Sequence, residues 1–331
     1  MPATQTCDLV SIENTLRDKL STESSSVDFS LLLNRSDGRE FIFERGAATA
    51  DTEYESASTS KWVSALLILR LVEKGFLKLS DKPQTWIPGW PVVASDPLYN
   101  ITLQDLLSFT SGLQVEPTCL NLKAADFSSC VQSIANANAG NTIVPGSAFY
   151  YASTHLQVAG LMAVKAAGKS DWQALFSDFQ TETGLFPTAR YDLPSLNNPR
   201  LAGGMHWTGR EYLDFLKAFK AGQLLNAQHM ALMLTDYTAA AQISYSPVKE
   251  SLNEEWHYGF GIWHECQNTQ FNCVAGARIS SPGAYGAYPF WDKTADYVGI
   301  LARQGTLGSY PEGIALVRAV QSDIERWARC Q

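Results

Sequence analysis

Strand-like segments lie near both ends of the chain, and helix-like segments fill the middle. Val27–Asn34 and Glu40–Gly46 are rich in strand-forming residues and flank a turn at residues 36–38. After residue 256, strand-like segments return at Tyr258–Glu265, Val274–Ile279, Tyr285–Asp292 and Tyr297–Gln304. Because unpaired strand edges are unfavourable, the two ends should meet in one sheet. The order of segments predicts an α/β sheet domain with an all-helical insertion.

Helical spacing of apolar residues is clearest in Ser58–Lys74, an amphipathic helix that Gly75 should end. Further helices are predicted at residues 8–20, Leu103–Phe109, Thr154–Ala167, Trp172–Glu182, Arg210–Ala221 and Pro311–Arg329. We therefore expect residues 1–95 and 245–331 to form a discontinuous sheet domain. Residues 96–244 should form the helical domain, with the active site in the cleft between the two.

Composition excludes several classes of protein. The 331 residues are 45% hydrophobic, which suffices for one large domain or two closely packed ones. A net charge of -8 without a run of Lys and Arg would repel phosphate backbones, so nucleic-acid binding is not expected. No apolar run approaches the roughly 18 residues that a membrane-spanning helix needs. The sequence does not predict an oligomeric state.

Six cysteines suggest disulfides. Proximity along the chain favours Cys119–Cys130 and Cys266–Cys273, which leaves Cys7–Cys330 to join the two ends. The alternatives are unrelated buried thiols or, less readily because no C-x-x-C pair is present, a zinc site. Met1–Thr6 lacks the charged and apolar regions of a secretory signal. The protein is either cytosolic or has lost a leader, and paired cysteines favour a secreted or periplasmic location.

The first candidate for chemistry is Ser58-Thr59-Ser60-Lys61. A serine three residues before a lysine on a helix shares its face, and a buried lysine can accept the serine proton. Alone this pattern is weak, since Ser58 could be a helix N-cap and Lys61 a solvated residue. A second match, Ser246–Lys249, contains a proline and is interpreted as an accidental match in a loop.

Two further segments could complete a site. Tyr151 lies on a loop two residues before Ser153, and a cationic lysine nearby could lower the pKa of the phenol and let it carry protons. Ser281-Pro282-Gly283-Ala284 could lie close to a substrate, because Gly283 has no side chain. The alternatives are a packing aromatic residue and an ordinary turn.

Other residues are weaker candidates. The five histidines are scattered, and His206 is a weak candidate for the rim of a site. Trp207, Tyr285, Tyr288 and Trp291 are candidate walls of a pocket, although packing in the core or at the surface explains each of them equally well.

In order and spacing, these three segments resemble those of the serine β-lactamase and penicillin-binding protein superfamily, which includes carboxylesterases and 6-aminohexanoate-oligomer hydrolases. The resemblance covers most of the chain. Residues 75–83 resemble the turn after the nucleophile helix, and Ile101–Leu113 resembles the T-x-x-x-L-L-x-H-T-S-G-L segment, with Phe109 in place of histidine. Ala202–Met205 is similar to the A-G-G loop that lines the cleft.

The resemblance implies an α+β fold of the serine β-lactamase kind, in which an antiparallel sheet is flanked by helices and carries an all-α insertion domain. It also implies roles for particular residues. Ser58 would be the acylated nucleophile, Lys61 its activating partner and Tyr151 the general base and acid. Ser153 would bind substrate. The backbone N–H groups of Ser58 and Ala284 would form the oxyanion hole, beside Ser281 and Gly283. No metal or organic cofactor is implied.

The third segment departs from the family pattern, because Ser281 and Pro282 replace the usual Lys-Thr or His-Thr. The cation that helps to hold a β-lactam carboxylate is absent, and Pro282 has neither hydroxyl nor N–H. We therefore expect a carboxylesterase or amidase that acts on small-molecule esters or amides. The alternatives are a β-lactamase or D-alanyl-D-alanine carboxypeptidase with an altered third motif, and a binding or sensor domain without turnover.

Overall fold

The computed structural model describes residues 7–330. Met1–Thr6, on which the absence of a secretory signal was judged, lies outside this range. The helices are α1 Leu9–Thr22, α2 Ser60–Glu73, α3 Leu103–Leu107, α4 Phe127–Ala137, α5 Thr154–Ala166, α6 Trp172–Thr183, α7 Gly209–Lys220, α8 Ala227–Met233, α9 Pro247–Leu252, α10 Tyr310–Ala319 and α11 Gln321–Arg329. None of them is long and apolar enough to cross a bilayer.

The strands are mostly short. They are β1 Ser30–Arg35, β2 Glu40–Glu44, β3 Glu53–Glu55, β4 Ala148–Tyr150, β5 Arg190–Tyr191, β6 Pro194–Ser195, β7 Asn198–Pro199, β8 Met205–Thr208, β9 Gln242–Tyr245, β10 His257–Tyr258, β11 Trp263–His264, β12 Arg278–Ser280, β13 Tyr288–Asp292 and β14 Tyr297–Ala302. Seven of them form the main sheet, in the order β10-β11-β12-β13-β14-β1-β2, and every neighbouring pair is antiparallel.

The two ends of the chain meet where β1 pairs with β14, from Ser30 opposite Ala302 to Arg35 opposite Tyr297. All residues of both strands are buried, as expected for strands covered on both faces. Helix α7 packs on β1, β13 and β14, whereas α1 and α10 pack on β2 and β13. The predicted fold, an antiparallel sheet flanked by helices and closed by both ends of the chain, is confirmed. The predicted division into domains at residues 95 and 245 stays a prediction.

Several predicted boundaries were wrong. Tyr258–Glu265 is not one strand, because Gly261 turns the chain with φ +69° and approaches α2 so closely that a Cβ there would lie 2.6 Å from the Lys61 carbonyl oxygen. The C-terminal helix breaks at Val320 into α10 and α11, and Ser246–Lys249 is not a loop, since Ser246 caps the short helix α9. Strands also begin or end later than predicted at β1, β12 and β13, and short strands interrupt the helical middle.

Helix α2 is a core helix over most of its length. Its residues from Ser60 to Leu69 are all buried, and exposure begins only at Arg70. A helix that is buried all round belongs to the interior, so the predicted amphipathic pattern applies only to its last turn. It packs against α5 and α8. The first turn of α2, which carries Lys61, is therefore held by the core of the protein.

Three disulfides are formed, and the predicted pairing is confirmed. Cys7 bonds to Cys330, Cys119 to Cys130 and Cys266 to Cys273. The first bond spans 323 positions and ties the segment before α1 to the end of α11. The other two close loops within 11 and 7 positions. Bonds of this kind are typical of proteins that fold in an oxidising compartment.

The three bonds should differ in their contribution to stability. A disulfide limits the unfolded chain more when it closes a longer loop, and the loop-entropy relation gives about 6 kcal/mol for Cys7–Cys330 and about 2 kcal/mol for Cys266–Cys273. We expect the double serine variant at Cys7 and Cys330 to lose more free energy of unfolding, in urea titrations, than the variant at Cys266 and Cys273. Equal losses would contradict this account of the long bond.

Candidate active site

A cleft of about 510 Å³ contains the serine, lysine and tyrosine that the sequence singled out. Its lining comes from the start of α2, the segment after β4, helix α9, strand β11, the segment after β12 and the start of α10. The residues are Ser58, Lys61, Glu116, Tyr151, Ala152, Ser153, Tyr245, Pro247, Val248, Trp263, Pro282, Ala284, Leu307, Gly308 and Tyr310. Segments far apart in the sequence thus converge on one concave surface, as binding sites commonly do.

Ser58 and Lys61 are in direct contact. Ser58 lies in the short 3-10 turn Ala57–Thr59 that leads into α2, and Lys61 follows in the first turn of the helix. The Lys61 Nζ donates to Ser58 Oγ at 2.8 Å and to the carbonyl oxygen of Ala202 at 2.8 Å. Ser58 is partly exposed to the cleft, whereas Lys61 is buried. Ser58 is therefore not the N-cap of the helix, and Lys61 is not a solvated residue.

The backbone just before Ser58 is strained. Ala57 has φ +43°, a conformation that costs a residue with a side chain roughly 1–3 kcal/mol. The neighbouring groups hold it in place, because Ser56 N donates to the Met205 carbonyl at 2.8 Å and the Ser56 and Ser60 hydroxyls bond to each other. Such strain is common where a reactive side chain must face a cleft.

Burial sets the proton affinity of Lys61. Loss of solvent around the ammonium lowers the pKa of Lys61 to about 7, with Glu116 acting to raise it and Arg200 to lower it. The contact with the Ala202 carbonyl satisfies one donor but supplies no negative charge. At neutral pH about half of the molecules therefore carry a neutral amine that can accept a proton.

Tyr151 lies directly after β4, and the sheet holds its backbone, since its N–H donates to the Tyr245 carbonyl at 3.2 Å. Its ring stacks on Trp263 with centroids 5.0 Å apart, and Lys61 Nζ lies 4.6 Å from its centre. Burial raises the pKa of the phenol well above 10, although hydrogen bonding to Ser58 and Trp263 opposes this rise. The predicted lowering of the pKa of Tyr151 was wrong, because desolvation outweighs the neighbouring amine.

His155 holds the backbone just before Tyr151, and sequence reasoning did not single it out. Burial lowers its pKa to about 3, so the ring is neutral. Its Nε2 lies 2.9 Å from the Tyr150 carbonyl oxygen, which can only accept, so Nε2 carries the proton and Nδ1 accepts from the Ser111 hydroxyl at 2.8 Å. Phe109, which replaces the family histidine, stacks on this ring at 4.8 Å. The position of His155 one turn after Tyr151, on the buried helix α5, is the only sequence signal that could have indicated this supporting role.

The third segment, residues 281–284, follows β12 and lies against the 3-10 turn Ala57–Thr59 that carries Ser58. Ser281 Oγ donates to the Ser58 carbonyl at 2.9 Å. A Cβ at Gly283 would lie 2.6 Å from the Ser56 carbonyl oxygen, so contact with the turn that carries Ser58 requires a glycine at this position. Pro282 and Ala284 line the cleft. Among the described residues, no acceptor lies within hydrogen-bond reach of the Ala284 N–H.

Other sequence candidates lie elsewhere. His206 pairs with Asp192 at 2.5 Å in β8, away from the cleft lining. Trp207 donates to Thr59 within the core, Tyr288 donates to Glu265, and neither Tyr285 nor Trp291 lines the cleft. The aromatic walls are instead Tyr151, Tyr245, Trp263 and Tyr310. Lys249 is engaged by Glu255 at 2.9 Å, so the second serine–lysine match forms no comparable pair.

Glu116 and Ser153 face each other at the mouth of the cleft. Ser153, predicted to bind substrate, lines the cleft, and its backbone N–H donates to the carboxylate of Glu116. Sequence reasoning missed Glu116. It lies three residues after Leu113, the last residue of the T-S-G-L segment, and that proximity is the one signal that could have found it.

The fold and these contacts define the class of protein. An antiparallel sheet covered by helices, with a serine and a buried lysine at the start of a core helix, is the arrangement of the serine β-lactamase and penicillin-binding protein superfamily of hydrolases. A family model described as Beta-lactamase matches residues 31–321. The chain therefore belongs to the Beta-lactamase family.

Known relatives include enzymes and penicillin-binding proteins. Penicillin-binding protein 4* of Bacillus subtilis (strain 168) is 28% identical over 269 residues, which are 70% of this chain and 56% of that protein. The chain thus spans little more than half the length of this curated relative. A putative β-lactamase from Bacteroides dorei DSM 17855 has a TM-score of 0.74 at 25% identity, over 95% of this chain and 97% of that one. EstCE1, described as a hydrolase with promiscuous acyltransferase activity, shares the fold, with a TM-score of 0.71 at 18% identity over 97% and 98% of the two chains.

The low proton affinity of Lys61 can be measured directly. In protein labelled at the lysine ε-carbons, we expect one NMR resonance to titrate near pH 7, whereas ordinary lysines titrate near about 10.4. The Lys61→Met variant should lack that resonance, and Lys249→Met should retain it. Titration of every lysine above pH 9 would show that burial does not neutralise Lys61.

Proposed function

We propose that this protein is a serine hydrolase that cleaves esters or amides through an acyl-enzyme on Ser58. The observation that carries the proposal is the 2.8 Å contact between the Ser58 hydroxyl and the buried amine of Lys61. A serine becomes an effective nucleophile when an adjacent base takes its proton. A pKa of about 7 suits Lys61 to that task at neutral pH.

In the proposed acylation, the Ser58 Oγ–H proton passes to the neutral Lys61 as Oγ attacks the carbonyl carbon of the substrate. The new C–O bond converts the carbonyl oxygen to an oxyanion. Collapse of this intermediate breaks the bond to the leaving group, which takes a proton from the Tyr151 phenol, and the Lys61 ammonium returns a proton to Tyr151. Because the pKa of Tyr151 is raised, the phenol enters the cycle protonated. A water molecule then attacks the acyl-enzyme by the same steps in reverse.

The proposed oxyanion hole consists of the backbone N–H groups of Ser58 and Ala284. Both residues line the cleft, and the segments that carry them are fastened together by the Ser281 hydroxyl and by the close approach of Gly283. Fixed donors of this kind stabilise developing negative charge without reorganisation. Ser153, at the opposite wall, is proposed to contact the substrate beyond the scissile bond.

The lining favours esters or amides over β-lactams. Within the described residues, Lys61 is the one cationic side chain in the lining, and its contacts with Ser58 and Ala202 occupy it. Pro282 lies where relatives have a hydroxyl beside a cation. A substrate carboxylate would find no lining group to pair with. The name of EstCE1 as a hydrolase with promiscuous acyltransferase activity agrees with this choice.

Two other functions compete with this proposal. A β-lactamase or D-alanyl-D-alanine carboxypeptidase would use the same serine with an altered third segment, and the curated match to penicillin-binding protein 4* favours that alternative. A binding domain without turnover is disfavoured by the presence of the serine, the amine and the phenol in one cleft. The three disulfides support action in a secreted or periplasmic location.

Turnover of two chromogenic substrates distinguishes the proposal from its closest rival. We expect kcat/KM for p-nitrophenyl butyrate to exceed that for a chromogenic cephalosporin by about two orders of magnitude or more, because the cleft offers the cephalosporin carboxylate no cation. The Ser58→Ala variant, measured with both substrates, is the control for reaction at this site. A clear preference for the cephalosporin would establish the rival function.

A further inference from the structure

The cleft has an unusual balance of charge. Among the described residues that line it, Glu116 and Lys61 are the ionisable groups other than tyrosines. Lys61 is half neutral at pH 7 and is enclosed by Ser58 and Ala202. Glu116 is exposed and has no salt-bridge partner among the described residues. A ligand in the cleft therefore meets a net negative charge.

The position of Glu116 is fixed by buried contacts. The side chain of Asn138, which is buried, accepts from the Val115 N–H at 2.9 Å and donates to the Val115 carbonyl at 3.0 Å. The Ser153 N–H binds the carboxylate of Glu116 from the other side. The carboxylate is thus anchored through one oxygen, and its second oxygen is available to a ligand.

Glu116 acts on both walls of the cleft. Its charge opposes the lowering of the pKa of Lys61 by burial and contributes to raising the pKa of Tyr245, and all three side chains line the same cleft. Tyr245 and Tyr310 are partly exposed in the same lining. Aromatic faces attract cations, and their attraction adds to that of a neighbouring carboxylate. Anionic and aromatic groups together are the usual surroundings of a bound ammonium group.

We propose that Glu116 is a specificity-determining residue that selects ester or amide substrates carrying an ammonium group. This inference rests on the proposed hydrolase function and names its substrate class. The carboxylate and the tyrosine faces hold the cation, while the scissile carbonyl lies at Ser58. A substrate with a carboxylate at that place is disfavoured by repulsion.

Arg200 is the cation that could reverse this balance. It helps to lower the pKa of Lys61, and a Cβ at Gly203 would lie 3.4 Å from its Nε and 3.5 Å from Ala57 Cα, so the guanidinium lies close to the turn that carries Ser58. Its side chain does not line the cleft, and its guanidinium binds the side chain of Asn121. Arg200 therefore lies beside the Ala202–Gly204 loop and outside the cleft lining.

Matched pairs of substrates that differ only in charge test the inference. One pair carries the charge in the acyl group, p-nitrophenyl 4-(trimethylammonio)butyrate against the 5,5-dimethylhexanoate ester. The other carries it in the leaving group, butyrylcholine against 3,3-dimethylbutyl butyrate. We expect the cationic member of at least one pair to have a roughly 10-fold higher kcat/KM, and Glu116→Gln to reduce that ratio to about 1. Glutamine can still accept from the Ser153 N–H, so the loop should keep its position.

Controls separate the local carboxylate from general effects. Glu325→Gln removes the same charge from α11, outside the lining, and should keep the ratio. Raising the ionic strength from about 0.05 to about 0.5 M should weaken the preference, because exposed charges are screened. No cationic preference in either pair, or equal loss of preference in both glutamate variants, would overturn the inference. A preference for an anionic ester that Arg200→Gln abolishes would do the same. If the neutral esters are not hydrolysed at all, it is the proposed function that fails.

Discussion

The site depends on one energetically unfavourable feature, the burial of the Lys61 amine. Burial of an ammonium group without a neighbouring anion is unfavourable, so the pKa of the group falls and the neutral amine becomes populated. The contacts at 2.8 Å to Ser58 and to the Ala202 carbonyl then fix the direction of the amine. The same desolvation raises the pKa of Tyr151 and keeps that phenol protonated. One physical cause thus divides the proposed roles between a base and a proton donor.

The fold enforces this burial, because the first turn of α2 is packed into the core. Gly261 lets the β10–β11 turn press against the Lys61 backbone, and Gly283 lets the segment after β12 press against Ser56. His155 holds the backbone before Tyr151 through a neutral ring. Each contact joins segments that are distant in the sequence. The geometry of the site is therefore a property of the whole sheet and its covering helices.

The sequence predicted the sheet, its closure by both ends, and the disulfides, because alternation, turns and cysteine spacing are local signals. It also brought forward Ser58, Lys61 and Tyr151, through spacing and family resemblance. It missed Glu116 and His155, whose importance comes from distant partners such as Ser153 and Tyr150. It gave the wrong direction for the pKa of Tyr151 because burial cannot be read from neighbours in the chain.

The most direct test of the account is the rate at which a fluorophosphonate modifies the protein, followed by intact mass as a function of pH. We predict a single adduct on Ser58, with a rate that rises as Lys61 loses its proton and is half-maximal near pH 7. Ser58→Ala should form no adduct, and Ser246→Ala, the other serine followed by a lysine three residues later, should react normally. An adduct that persists in Ser58→Ala, or a rate that continues to rise up to pH 10, would contradict the claim that a buried neutral amine activates this serine.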